Sequence, residues 1–255
     1  MLISADGRGQ TTDASLPPLA ADPTHPVTDG NLRPFGADTP SVLRASRRDL
    51  RAARRRLSEK EQRDHTIALT RLLGCAPRFL SARRVAAYWP ADGELDPRPL
   101  LEAAIGRGRR GFLPMLRPGK RRQLWFLHYR PGEPMRANRF GIPEPARRQR
   151  RLALAWTLDL ILVPLVGFDA DCNRLGMGGG FYDRTLSFLR QRAHWHRPRL
   201  IGIAHECQRV ERIQPQPWDI PLDAVATERG VYRRSSSAHP TGGLRSGSRR
   251  PAKIR

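Results

Sequence analysis

Leu160-Ile-Leu-Val-Pro-Leu-Val-Gly-Phe-Asp169, followed after three residues by Asn173-Arg-Leu-Gly-Met-Gly-Gly-Gly-Phe-Tyr-Asp183, is the most informative stretch of the 255-residue chain. Leu158–Val166, almost wholly apolar, reads as a strand buried on both faces, the kind found in parallel sheets, and Gly167–Gly180 as the loop that follows it. The strand leads into four glycines, Gly176, Gly178, Gly179 and Gly180, and then into a helix expected to run to about Arg192. Glycine permits positive φ and a close approach of an anion to the main chain. The free N–H groups at the start of the following helix favour phosphate. Such a loop at the carboxyl end of a strand is where ligands collect in open α/β sheets.

The surrounding sequence fits that sheet. Leu43, Leu50 and Leu57 mark an arginine-rich helix, and Ser58 with Glu61 forms a capping box for the next, which stops near Gly74. Val85–Trp89, Gly111–Met115, Leu124–Tyr129, Leu200–Ala204 and Ala224–Thr227 read as strands, with a helix from Pro97 to about Ile105. Strands separated by helices predict an α/β fold, a mostly parallel sheet with helices on both faces. Residues 1–40, poor in large apolar side chains, read as a disordered extension, residues 41–234 as the folded domain, and residues 235–255 as a disordered basic tail.

Composition limits the function classes. A formal charge of +22 predicts affinity for anions without choosing among nucleic acid, acidic lipid and phosphorylated small molecules. Most of the charge is arginine, whose planar fork suits phosphate and carboxylate. A GC-rich genome would also load a surface with arginine, so no single one is diagnostic. Three scattered cysteines, Cys75, Cys172 and Cys207, argue against a disulfide framework or a zinc knuckle. No secretory leader or membrane-length apolar run is visible, and a cytoplasmic location is expected. The glycine loop lacks the G-x-x-x-x-G-K-[ST] pattern and the acidic partner of a dinucleotide fingerprint. By itself it also reads as a tight structural turn. A basic nucleic-acid-binding protein is the main alternative, although basic residues interleaved with sheet aromatics are missing.

The run Arg174-Leu-Gly-Met-Gly-Gly-Gly-Phe-Tyr-Asp183 after Leu162–Asp169 resembles the signature of the 5-formyltetrahydrofolate cyclo-ligase family. Four further segments occur in the expected order: Tyr88-Trp-Pro-Ala-Asp-Gly-Glu94-Leu-Asp-Pro, Phe140-Gly-Ile-Pro-Glu-Pro145, Gly202-Ile-Ala-His-Glu-Cys-Gln208 and Pro221-Leu-Asp-Ala-Val-Ala-Thr-Glu228. The arginine helix ending at Arg54-Arg-Arg-Leu-Ser58 also matches, and the likeness spans about residues 42–232. It implies a fold in outline like that of sugar-phosphate isomerases and CoA transferases. It also implies conversion of 5-formyltetrahydrofolate to 5,10-methenyltetrahydrofolate, with ATP and Mg²⁺.

On this resemblance Arg174, Leu175, Gly176, Met177, Gly178, Gly179, Gly180, Phe181 and Tyr182 hold ATP. Arg44, Arg47 and Arg48 join them from the first helix, although the lysine that often opens that segment is replaced by Leu43. Glu94, Met177 and Gly179 are assigned to the reacting centre. Trp89, Glu94, Trp125 and Tyr182 are assigned to folate, and Asp183 and Asp223 to Mg²⁺. Without the resemblance, Glu94 reads as a loop charge, Trp89 and Trp125 as core, His205 as a structural histidine, and Asp223 as a strand-end residue. The expected partners are the two small-molecule substrates, with nucleic acid met only through the basic tail, and the expected state is a monomer.

Overall fold

The computed structural model describes residues 41–119, 122–146, 152–191 and 198–234, with side chains from Arg47 onward. The extension and basic tail lie outside the described residues. In chain order the elements begin with α1 (Ser41–Arg55), α2 (Glu59–Gly74), α3 (Pro77–Leu80) and β1 (Arg84–Ala86). Next come α4 (Arg98–Gly106), β2 (Arg110–Leu116), β3 (Leu124–Tyr129), β4 (Met135–Ala137), β5 (Pro143–Pro145) and β6 (Leu152–Ala153). The remainder is β7 (Leu160–Pro164), β8 (Gly167–Phe168), β9 (Arg174–Leu175), α5 (Phe181–Thr185), β10 (Arg199–Ile203), β11 (Ala224–Ala226) and β12 (Val231–Arg233).

Eight strands form one sheet in the order β12-β11-β10-β7-β1-β2-β3-β6. The central ladders, β2–β1, β1–β7, β7–β10 and β10–β11, are parallel, and the outer strands β3, β6 and β12 are antiparallel. Side chains alternate across the pleat, so the two faces of the sheet fill separate cores. Val85, Leu113, Leu160, Leu162 and Ile203 pack with Leu69, Leu73, Leu100 and Leu101 of α2 and α4. Ala86, Phe112, Ile161, Val163 and Val225 pack instead with Leu186, Leu189, Ile220 and Leu222. Helical turns and extended chain, rather than long helices, cover this second face. Among the described residues no helix is long and apolar enough to cross a membrane.

Several elements depart from expectation. The strand expected over Val85–Trp89 stops at Ala86, because from Tyr88 onward the chain leaves the ladder for the Asp92-Gly93 turn. The expected loop Gly167–Gly180 contains the β8–β9 hairpin, with Gly167 opposite Leu175 and Phe168 opposite Arg174. Asp169 builds its turn by accepting the main-chain N–H groups of Asp171, Asn173 and Ile213 and the Asn173 side-chain amide. The helix expected to reach Arg192 is only five residues long. It gives way to a 3-10 turn, Ser187–Gln191, whose Leu189 is buried against the second core, and Arg192 itself lies outside the described residues. So short a helix carries little dipole. Positive potential at the glycine loop therefore comes from its own amides and from neighbouring side chains.

Candidate active site

The site is assembled where α1 crosses the carboxyl edge of the sheet. An amphipathic helix presents one face to the protein, and here Arg47, Arg51, Arg54 and Arg55 repeat at that helical spacing. Arg54 has no exposed surface. Its Nε donates to the Asp92 carbonyl (2.8 Å), its Nη2 to Asp92 Oδ2 (2.9 Å) and its Nη1 to the Leu165 carbonyl (3.3 Å). Asp92 also receives Arg51 Nε at 2.8 Å and Arg55 Nε. Burial alone would raise the Asp92 pKa, but the hydrogen bonds from Arg51, Arg55 and Arg54 pull it down to about 2. Asp92 adopts φ +55°, in the left-handed region that a short polar side chain tolerates. Gly93, at φ +74°, lies against the Arg54 carbonyl, where a Cβ would stand 3.2 Å away. This tight turn places Glu94 beside the buried guanidinium.

Glu94 is the unusual carboxylate. Burial pushes its pKa up to about 7, although Arg54, 3.7 Å away, and the Ala91 N–H, 3.1 Å away, both pull against that rise. Desolvation wins because the group is almost fully enclosed, a pattern that clusters at functional sites. Two tyrosines flank it. Tyr88 is buried and donates to the Leu95 carbonyl at 2.6 Å, and Tyr182 is half-buried. In both, burial and then the Glu94 charge raise the phenol pKa.

The glycine loop faces the arginines. Arg47 Nε donates to the Gly176 carbonyl at 3.1 Å. A cavity of about 200 Å³ lies between them, lined by Arg47, Arg48, Arg51, Arg55, Val166 and Met177. Gly178 and Gly180 adopt φ +86° and +65°, and a Cβ at Gly176 or Gly178 would meet nothing within 4 Å, so the loop backbone stands open. Gln208 steadies the cavity wall by donating its amide to the Leu165 and Val166 carbonyls. Arg44 belongs to α1, but its side chain lies outside those described. Leu175 is buried in the hairpin, Gly179 lies under the Phe181 ring, and Met177 is exposed.

Arg174 reaches the Ile220 carbonyl and pairs with Asp183, which also accepts the Ile220 N–H at 3.3 Å. Asp219 stands close by, and burial followed by the Asp183 charge raises its pKa. Asp223 is placed elsewhere, where β10 and β11 begin. There it accepts the Leu200 N–H at 2.7 Å and lies 3.5 Å from Arg199 Nη1. Trp89 packs on the first core beneath the Arg98 guanidinium, 4.4 Å from the ring centre. Trp125, half-buried in β3, meets Arg117 at 5.5 Å.

Sequence reasoning missed Arg54, Asp92, Asp219 and Phe140. The exposed Phe140 ring meets Phe181 edge-on at 6.0 Å, which brings the β4–β5 hairpin to the glycine loop. The available signal was the Asp92-Gly93 turn dipeptide opposite an arginine-rich helix. Which arginine points inward depends on tertiary docking.

The comparisons with known proteins match this architecture. The model of the 5-formyltetrahydrofolate cyclo-ligase family matches residues 40–228. The chain belongs to the 5-formyltetrahydrofolate cyclo-ligase family. It is 40% identical to the 5-formyltetrahydrofolate cyclo-ligase of Escherichia coli K12 over 184 residues, covering 72% of this chain and 98% of that protein. The Haemophilus influenzae protein of the same name is 35% identical, with 71% and 90% covered. A solved structure of Aquifex aeolicus 5,10-methenyltetrahydrofolate synthetase superposes with a TM-score of 0.62 at 29% identity, covering 78% of this chain and 98% of that one. The 5,10-methenyltetrahydrofolate synthetase from Mycoplasma pneumoniae, 23% identical and covering 72% and 98%, shares the fold with a TM-score of 0.57. The chain is thus a ligase on an α/β fold, and the residues around Glu94 and Gly176–Gly180 fall inside the matched span.

Proposed function

We propose that the protein closes the 5,10 ring of 5-formyltetrahydrofolate at the expense of ATP, acting as a cytoplasmic monomer. An N-formyl amide is a weak electrophile, and hydroxide is a poor leaving group from the cyclised adduct. Transfer of the γ-phosphoryl group to the formyl oxygen releases ADP and removes both obstacles. N10 then attacks the activated carbon and loses its proton, and the C–O bond breaks to release phosphate. Little covalent chemistry is left for the protein, so positioning and charge neutralisation dominate.

The observation that carries this reading is the cationic cavity between α1 and the open glycine loop. Arg47, Arg48, Arg51 and Arg55 are suited to the polyphosphate, with the amides of Gly176–Gly180 on the other side. Met177, Phe140 and Phe181 offer an apolar surface for the folate ring. Glu94 accepts N–H bonds from that ring in this reading, its near-complete burial beside Arg54 being the support. Magnesium, when bound with the nucleotide, supplies neutralising charge among the phosphate oxygens. The neighbouring carboxylates Asp183 and Asp219 fit the hard oxygen donors it takes, once Arg174 turns from Asp183 to phosphate. Purified protein given 5-formyltetrahydrofolate, ATP and Mg²⁺ should develop the methenyl-folate chromophore, and none when ATP is omitted. A folded preparation with no turnover would overturn the reading.

A further inference from the structure

Three metal-ligating side chains converge outside the cationic cavity. His65 comes from α2, His205 follows β10 and Glu228 follows β11. One donor atom from each lies within 4.8 Å of the other two. His65 Nδ1 and His205 Nδ1 are 2.9 Å apart, and His65 Nε2 is 3.8 Å from Glu228 Oε1. We propose that His65, His205 and Glu228 form a binding site for a divalent transition-metal ion of the zinc class.

The orientation of the ligands carries the inference. His205 has no exposed surface, and its Nε2 meets the Gly93 carbonyl at 3.2 Å. A carbonyl only accepts, so Nε2 carries the proton and Nδ1 presents its lone pair to His65. A ring nitrogen tied to a main-chain carbonyl is the outer contact that fixes a metal-binding histidine. Glu228 is held in turn by the Glu206 N–H, at 3.0 and 3.3 Å to its two oxygens. In the ion-free form His65 Nδ1–H donates to His205 Nδ1; when the ion binds between these two nitrogens, that proton moves to His65 Nε2, on the side that faces Glu228. Two zinc–nitrogen bonds of about 2.0–2.1 Å at a tetrahedral angle span about 3.3 Å. His65 is part-exposed on α2, so a small swing of its ring opens the present 2.9 Å to that distance and provides the entry path. Water completes the fourth position. Two imidazoles and one carboxylate favour zinc, nickel or copper over magnesium or calcium. Glu228, 3.8 Å from His65 Nε2, brings negative charge to the site, against the Arg54 charge that reaches His205. A bound ion would clasp α2 to the sheet edge that carries the Asp92–Glu94 turn.

The test is titration of the chelator-treated full chain with Zn²⁺ by competition with a chromophoric chelator, and with Co²⁺ by its visible d–d bands. One equivalent should bind, and His65→Ala and Glu228→Gln should each weaken it by about ten-fold or more while far-UV circular dichroism is unchanged. If His65→Ala fails to fold, Glu228→Gln with His65→Gln decides. Absence of saturable binding, or affinity unaltered in these variants, as binding at other histidines or cysteines would give, overturns the proposal.

Discussion

Burial of Glu94 costs stability at a position proposed to serve the chemistry. Its ordinary pKa of 4.5 rises to about 7 on folding because burial outweighs its cationic neighbour. Between those values the unfolded chain has lost the proton that the folded protein still holds, so stability falls as pH rises through this window. Above pH 7 the full cost stands at roughly 3 kcal/mol. Glu94→Gln keeps the shape and discards the buried charge. It should raise the unfolding midpoint at pH 8 relative to pH 5, while lowering turnover by about a hundred-fold or more. A variant with wild-type turnover would remove Glu94 from the site. In the wild type, turnover should climb with an inflection near pH 7 as the carboxylate ionises. Asp92 has the opposite sign, because its pKa of about 2 makes its stabilisation present above 3.8 and lost as pH falls toward 2.

Among the elements, α1 depends most on a single partner. Asp92 receives Arg51, Arg54 and Arg55, and Arg54 is wholly buried. Asp92→Ala leaves that guanidinium with carbonyls and Glu94 alone, and breaking such a buried pair costs about 3–5 kcal/mol. Chemical denaturation should show that loss, and Asp92→Asn, which keeps a polar group that tolerates positive φ, should lose less. Equal losses would show that the carboxylate charge, not tolerance of the left-handed backbone, anchors α1. The same elements mark what was legible in sequence. The Ser58–Glu61 capping box, the β7 run and the β2–β3 pair are local patterns, and all three are found. The β8–β9 hairpin was hidden because two-residue strands have no periodicity, and its turn is shaped by Asp169 side-chain bonds. Arg54 was hidden for a different reason. An arginine enters a core only when folding brings Asp92 and two carbonyls to it, and neighbours in sequence reveal none of that.

For the whole molecule, the charge divides unevenly. The tail after Arg234 holds five basic residues and no acid, so most of the formal +22 belongs to the body, α1 included. Removing residues 235–255 should leave folate turnover unchanged and abolish any single-stranded DNA binding that weakens steeply with salt. DNA binding that survives the truncation would place that contact on the catalytic domain. The family, the sheet and the segment order were all readable in the chain, because the glycine loop and four other segments lie within residues 40–228. The cavity arose only when α1 docked across the sheet edge. Calorimetric titration of Mg·ATP into wild-type protein and into the Arg47→Ala, Arg48→Ala double variant tests that docking most directly. Two lost charge-assisted contacts should weaken binding by roughly a hundred-fold. Equal affinity in the two proteins would contradict the claim that α1 and the glycine loop grip the polyphosphate between them.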